Sequence, residues 1–184
     1  IELMKAEGYQ PASWVTDMLA SGNTSFYSIK DGATHFYSIT NKKVEKIPGQ
    51  DAFIILNNIR ESKKIWNNSD SIITDLGDGI INLEFTSKMN SIGAGVLQGI
   101  NKAIDIAEKD YNGLVIGNQG ANFSVGANLG MIFMMAVEQE YDELNMAIKM
   151  FQDTMMRCRY SAIPVIAAPH GMTLGGGCEL TMHA

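Results

Sequence analysis

The chain has 184 residues, a hydrophobic fraction of 46% and a formal net charge of −6, with an isoelectric point near 5.0. That size and composition suit one domain or two small ones with a real core, and the acidic balance argues against nucleic acid or an anionic membrane as partner. No apolar run approaches the ~18 residues of a membrane span, and two cysteines, Cys158 and Cys178, make no disulfide framework, so the expected setting is a reducing cytoplasm.

Residues 1–20 read as helical with a break over 8–11; Trp14, Val15, Met18 and Leu19 fall at helix spacing. "FYSI" occurs at 26–29 and again at 36–39. Between the copies stands Asp31-Gly32, a pair that tolerates positive φ, so the repeat predicts an antiparallel hairpin. Residues 41–69 read as a connector, with Pro48-Gly49 as a turn and "NNSD" at 67–70 closing it at a domain boundary. Then "SIITDL" and "GIINLEF" predict two short strands around a Gly77-Asp78-Gly79 hairpin. "SKMNSIG" is a loop, and Leu97, Ile100, Ile104 and Ala107 mark a helix. "NGLVIGN" is a buried strand, "QGANFSVGAN" a glycine-bearing loop, and 129–159 a long segment with Leu144, Ile148, Phe151 and Met155 at helix spacing. "IPVIAAP" is a further buried strand, followed by the triplet Gly175-Gly176-Gly177. The alternation of strand and helix from residue 71 predicts an α/β domain with parallel strands near 113–118 and 163–168. The 12 methionines are expected to fill core gaps; the sharper alternative is an adaptable apolar surface for a greasy ligand.

Two strands end alike. "GLVIGN" leads to "FSVGAN" and "PVIAAP" leads to "LGGGCEL", each a strand, a small-residue loop and a helix start. A helix N-terminus offers free N–H groups and partial positive charge. Two such ends meeting in space would supply convergent donors for a developing oxyanion, with Glu179 in the first turn beside them. On this view Gly176 lacks a side chain because a ligand oxygen must reach its N–H. An equally open reading is that the glycines permit close helix–strand packing and Glu179 complements the helix dipole. The glycine spacing is not that of a dinucleotide fingerprint, and no Gly-Lys-Ser/Thr of a P-loop is present. His35, His170 and His183 have no metal-ligand spacing, and no metal is expected.

"NFSVGANLG", followed later by "IPVIAAPHGMTLGGGCEL", resembles the crotonase (enoyl-CoA hydratase/isomerase) superfamily, and "SKMNSI" is similar to that family's loop after its second strand. The resemblance covers 70–184 and implies an α/β fold of crotonase-like β-β-α repeats, here the first half of such a domain. By position it implies that Ala127 and Gly176 give the oxyanion N–H groups and that Glu179 is one of two catalytic glutamates, the second falling past Ala184. It also implies that Lys88, Met89, Asn90, Phe123, Val125 and Gly175 shape the coenzyme A and acyl site. Asn128 stands where most members have Asp, and Asn caps a helix well.

"GYQPASWVTDML…SFYSIKDGATHFY" is similar to the tail of a 3-hydroxyacyl-CoA dehydrogenase. Together the resemblances imply three parts: a dehydrogenase tail at 1–40, a helix plus β-hairpin segment; a linker at 41–69; and the crotonase half at 70–184. Because the chain opens on Ile1 and stops at Ala184 in a helical pattern, it is expected to be a piece of a longer bifunctional fatty-acid oxidation protein. The expected reaction is hydration of a 2-enoyl-CoA. The alternatives are an enoyl-CoA isomerase, disfavoured by a glutamate at 179, and a non-catalytic assembly domain. The implied substrate is a coenzyme A thioester. No cofactor is implied for this piece, and NAD is implied for an upstream dehydrogenase domain. A homo-oligomer or a thiolase is the implied protein partner.

Overall fold

The computed structural model describes residues 1–184 and divides into two compact units, Ile1–Asn58 and Ile59–Ala184.

In the first unit, α1 (Glu2–Ala6) and α2 (Ser13–Ala20) are separated by the expected break, where Gly8 takes φ +86. Three antiparallel strands follow in the order β1 (Tyr27–Lys30), β2 (Ala33–Ser38), β3 (Lys43–Lys46). Asp31 and Gly32 both have positive φ, the geometry of a two-residue hairpin turn. The "FYSI" copies pair with an offset, Tyr27 opposite Phe36 and Ile29 opposite Thr34. Phe26 meets Trp14 and Phe36 at ring separations of 5.8 and 6.4 Å, and Met18, Tyr37 and Leu56 are buried. The Gln50 amide donates to the Thr34 and Ile47 carbonyls and accepts from the Thr34 N–H, fixing the single 3-10 turn Gln50–Ala52 against β2. The short α3 (Leu56–Ile59) spans the division between the units. His35 lies on β2 with Nδ1 3.0 Å from the Ala33 carbonyl oxygen, a local contact and not a ligand cluster.

The expected linker at 41–69 is therefore structured. It contributes β3 to the first unit and β4 (Lys64–Asn67) to the sheet of the second, and the division falls at 58/59 rather than near 70. "KIWN" pairs antiparallel with the next strand, and Trp66 packs on the core.

The second unit holds a five-stranded sheet in the order β10-β8-β6-β5-β4. Its further strands are β5 (Ser71–Gly77), β6 (Ile80–Phe85), β8 (Gly113–Ile116) and β10 (Val165–Ala167), with a short β7 (Ser91–Ile92) outside it. β5 and β6 form the expected hairpin, with Asp78 and Gly79 at positive φ. β6, β8 and β10 run parallel, as the strand–helix alternation requires. α4 (Ala94–Asp110) connects β6 to β8 and turns Val96, Leu97, Ile100, Ala103, Ile104 and Ala107 inward on one stripe. These meet Ile73, Ile81, Leu83, Leu114 and Ile116 of the sheet; burying each large aliphatic side chain contributes about 1.5–3 kcal/mol. A bidentate pair, Arg60 Nη2 to Glu84 Oε1 at 2.7 Å and Nε to Oε2 at 3.1 Å, anchors the stretch before β4 to β6.

The long segment 129–159 is two helices, α5 (Leu129–Val137) and α6 (Tyr141–Arg159), parted where Gln139 takes φ +59. α6 buries Thr154, Met155 and Cys158, while Ile148, one of the residues at helix spacing, is exposed. α5 buries none of its residues. The methionines likewise run against expectation: only Met18 and Met155 are buried, so the residue serves mainly the surface. α7 (Gly176–His183) ends the chain.

Candidate active site

Two of the loops are closed onto each other by a ladder of main-chain bonds. Phe123 N–H donates to the His170 carbonyl (2.9 Å), Ser124 N–H to Met172 (3.2 Å), and Leu174 N–H to Ser124 (3.0 Å). Side chains add to it: His170 Nε2 lies 2.9 Å from the Gly120 carbonyl oxygen, and Asn122 Oδ1 accepts from Met172 N–H at 2.9 Å. A third loop joins them. Its residues Lys88–Asn90 form a 3-10 turn with Met89 and Asn90 at positive φ. Asn90 Nδ2 donates to the Asn122 carbonyl (3.0 Å), and β7 pairs parallel with β9 (Gly126–Ala127), Ile92 opposite Ala127. All three segments that the sequence singles out are thus one cluster at the ends of β6, β8 and β10.

Both glycine-bearing loops deliver helix N-termini. Asn128 N-caps α5, its side chain accepting from the Met131 N–H at 3.3 Å. Gly175 N-caps α7 with φ +47 and ψ −120, a conformation for which glycine is suited. The two ends converge. A β-carbon built on Gly176 would stand 3.7 Å from the Ala127 nitrogen, and one built on Gly126 would stand 3.0 Å from the Gly176 nitrogen. In the loop, Gly177 N–H takes the Leu174 carbonyl and Glu179 N–H the Gly175 carbonyl, while Gly176 N–H is a first-turn donor without an intrahelical partner.

The triplet has three separate causes. Gly175 supplies the positive φ. A β-carbon on Gly176 would strike the Phe151 ring of α6 at 2.8 and 2.9 Å, and one on Gly177 would strike Ser124 Cβ at 2.8 Å. Close packing of α7 on α6 is thus a second reason for glycine at 176, beside the ligand access expected of it. The same packing brings the Gly176 and Ala127 nitrogens near each other.

Glu179 is exposed in the first turn of α7, past the positions from which a carboxylate caps a helix start, and its carbonyl accepts from His183 Nδ1 at 2.7 Å. Lys88 and Met89 are exposed and Val125 is half-buried. Phe123 is different. It is fully buried, with its ring 6.0 Å from Phe85 and 6.4 Å from His170, so it supports the loop from below and presents no surface to a ligand. The sequence reading missed Asn118, whose buried amide accepts from Phe85 N–H (2.6 Å) and donates to the Phe123 carbonyl (2.9 Å), and it missed Ser124. Asn118 stands two residues past the end of β8, a position that could have marked it, whereas Ser124 lies inside the loop with no local signal.

Elsewhere, an open groove of about 410 Å³ lies along α4 and α6, but its charges are spent on each other, Lys149 on Asp153 and Arg157 on Asp105. Cys158 is buried and its thiol is pushed up to about 12 by burial, so it is no nucleophile at neutral pH. Cys178 is exposed. No helix is long and apolar enough to cross a membrane, and no cluster of His, Cys, Asp and Glu has metal-binding geometry.

Parallel strands ending in two convergent helix N-termini set the architecture of the site, and the comparisons give its family. The family model described as enoyl-CoA hydratase/isomerase matches residues 76–184, and the chain belongs to that family. A solved enoyl-CoA hydratase/isomerase from Xanthobacter autotrophicus Py2 is similar at 26% identity and a TM-score of 0.55, covering 64% of this chain and 45% of its own. A Bacillus subtilis protein named "Probable 3-hydroxyacyl-CoA dehydrogenase" is 44% identical over 184 residues, all of this chain and 23% of its own length. A Rickettsia felis protein named "Putative fatty acid oxidation complex trifunctional enzyme" is 31% identical over 144 residues, 78% of this chain and 20% of its own length. The chain spans about a quarter of the length of these curated relatives or less.

Proposed function

We propose that this chain carries the oxyanion half of an enoyl-CoA hydratase site within a longer protein that also has 3-hydroxyacyl-CoA dehydrogenase activity in fatty-acid β-oxidation. The convergence of the Ala127 and Gly176 nitrogens, with Glu179 one turn along α7, is the observation that carries it. The relatives' names and the short share of their length covered support the longer protein, with residues 1–40 as the end of its dehydrogenase part and NAD as that part's cofactor.

In this reading the thioester carbonyl oxygen accepts from the Ala127 and Gly176 N–H groups. Glu179, together with a second glutamate beyond Ala184, orients a water and takes its proton as the oxygen bonds to C3. The π electrons move to the thioester oxygen as an enolate, where the two N–H groups stabilise them. The proton then returns to C2, closing the balance as addition of one water. Lys88, Met89 and Asn90 sit on the exposed turn beside this cluster, where they would meet coenzyme A. Met131, Phe133 and Met134, exposed on α5 just past Ala127, have the chemistry of an acyl-chain surface. A thiolase that consumes the 3-keto product is the partner we propose, and the cytoplasm the setting.

Hydration of crotonyl-CoA by the longer protein tests the reading. Loss of the enoyl absorbance with formation of the 3-hydroxy thioester supports it. Conversion of a 3-enoyl-CoA to the 2-enoyl isomer without hydration would make it an isomerase, and neither reaction would leave an assembly role.

A further inference from the structure

Ser124 is fully buried where the three loops meet. Its hydroxyl donates to the Asn90 carbonyl at 2.6 Å and accepts from the Gly126 N–H at 3.0 Å. Its backbone N–H donates to Met172 and its carbonyl accepts from Leu174, and its β-carbon is what a side chain on Gly177 would strike. Gly126 takes φ +85 immediately before Ala127, so the group that pins the Gly126 N–H also sets the turn from which the Ala127 N–H is presented. The donated bond fixes the Lys88–Asn90 turn from inside. An alanine here would keep every backbone bond and remove one hydrogen bond from the half-buried Asn90 carbonyl and one from the buried Gly126 N–H.

We propose that Ser124 is a positioning residue whose hydroxyl locks the thioester-oxygen donors to the coenzyme A turn, so that binding at one sets the geometry of the other. This rests on the hydratase reading of the same site. Deleting an oxyanion donor costs ~10²–10³ in rate, and misplacing one costs less, so Ser124→Ala should lower kcat on crotonyl-CoA by about 10- to 100-fold.

The test is made in the longer protein with Ser124→Ala and Ser124→Cys, the thiol being a weaker donor and acceptor in nearly the same volume. Two quantities are read: kcat and KM for crotonyl-CoA, and the carbonyl stretch of bound carbonyl-labelled butyryl-CoA, which no water adds to. The expected order is Ser, Cys, Ala, in falling kcat, in rising KM and in a carbonyl band moving back toward its free position. Should the alanine variant not fold, the cysteine variant decides on the same readouts. Variants that keep the wild-type kcat and the wild-type carbonyl frequency would overturn the proposal. A wild-type protein that binds butyryl-CoA and hydrates nothing would overturn the hydratase reading alone, since the carbonyl band still reports on Ser124; one that binds no thioester overturns both.

Discussion

The α-carbon of Gly126 directs its missing side chain at Gly176: a β-carbon there would stand 3.0 Å from the Gly176 nitrogen and 2.7 Å from the Leu174 carbonyl oxygen. Two loops far apart in the chain meet main chain to main chain, and only glycine allows it.

Gly126→Ala therefore meets two penalties, a φ of +85 and a backbone clash. The strained φ alone costs about 1–3 kcal/mol. Thermal denaturation should show the loss, and crotonyl-CoA turnover should fall with it. An unshifted melting curve would mean that the loops are not held together as described.

Gly176→Ala should destabilise by about 1–3 kcal/mol through overpacking against Phe151. The cause is specific, so Phe151→Leu should recover much of that loss in the double variant while costing stability alone. A double-mutant cycle measures the coupling, and additive effects would place the clash elsewhere.

The cysteines should separate under alkylation. Cys178 is exposed and should react with iodoacetamide at neutral pH; buried Cys158 should react only on unfolding. Burial raises the Cys158 thiol from 9.0 in an unfolded chain to about 12 when folded. The folded state then holds the proton more tightly, so this contribution is fully present below about pH 9 and is lost as pH rises toward 12. Denaturant titrations of wild type and Cys158→Ala across that range should diverge, the wild type losing stability faster.

Much of this was legible in the sequence, where it depends on neighbours along the chain. The apolar stripe of α4 follows from its spacing, and the β5–β6 turn follows from Asp78-Gly79. The start of α5 follows from Asn128 after small residues. What the sequence hid depends on partners far away. Phe123 reads as a loop residue until Phe85 and His170 enclose it. "KIWN" reads as connector until β5 pairs with it, and nothing beside Gly176 in the chain announces that Phe151 of α6 lies against it. A polar residue such as Ser124 carries no periodic signal, because its role lies in two bonds to other loops.

Glu84 is buried and Arg60 is its bidentate partner, with side-chain exposures of 4% and 28%. Arg60→Ala would leave the carboxylate unpaired. Breaking a buried pair costs about 3–5 kcal/mol, and the partly exposed arginine places this one near the lower end. Arg60→Lys, which keeps one charged bond, should recover part of it; equal stability of the alanine variant in denaturant would show that the pair contributes nothing.

The central claim is that Glu179 acts on substrate from the first turn of α7 and does not merely complement that helix. Its most direct test is turnover of crotonyl-CoA by Glu179→Gln in the longer protein, with folding checked by circular dichroism. A proton-transfer role predicts a fall in kcat of roughly 10²–10⁴ with KM little changed, because the donors of Ala127 and Gly176 remain. A helix-dipole role predicts a loss of about 0.3–1 kcal/mol in stability, and turnover within about threefold of wild type on a folded protein would contradict the catalytic assignment.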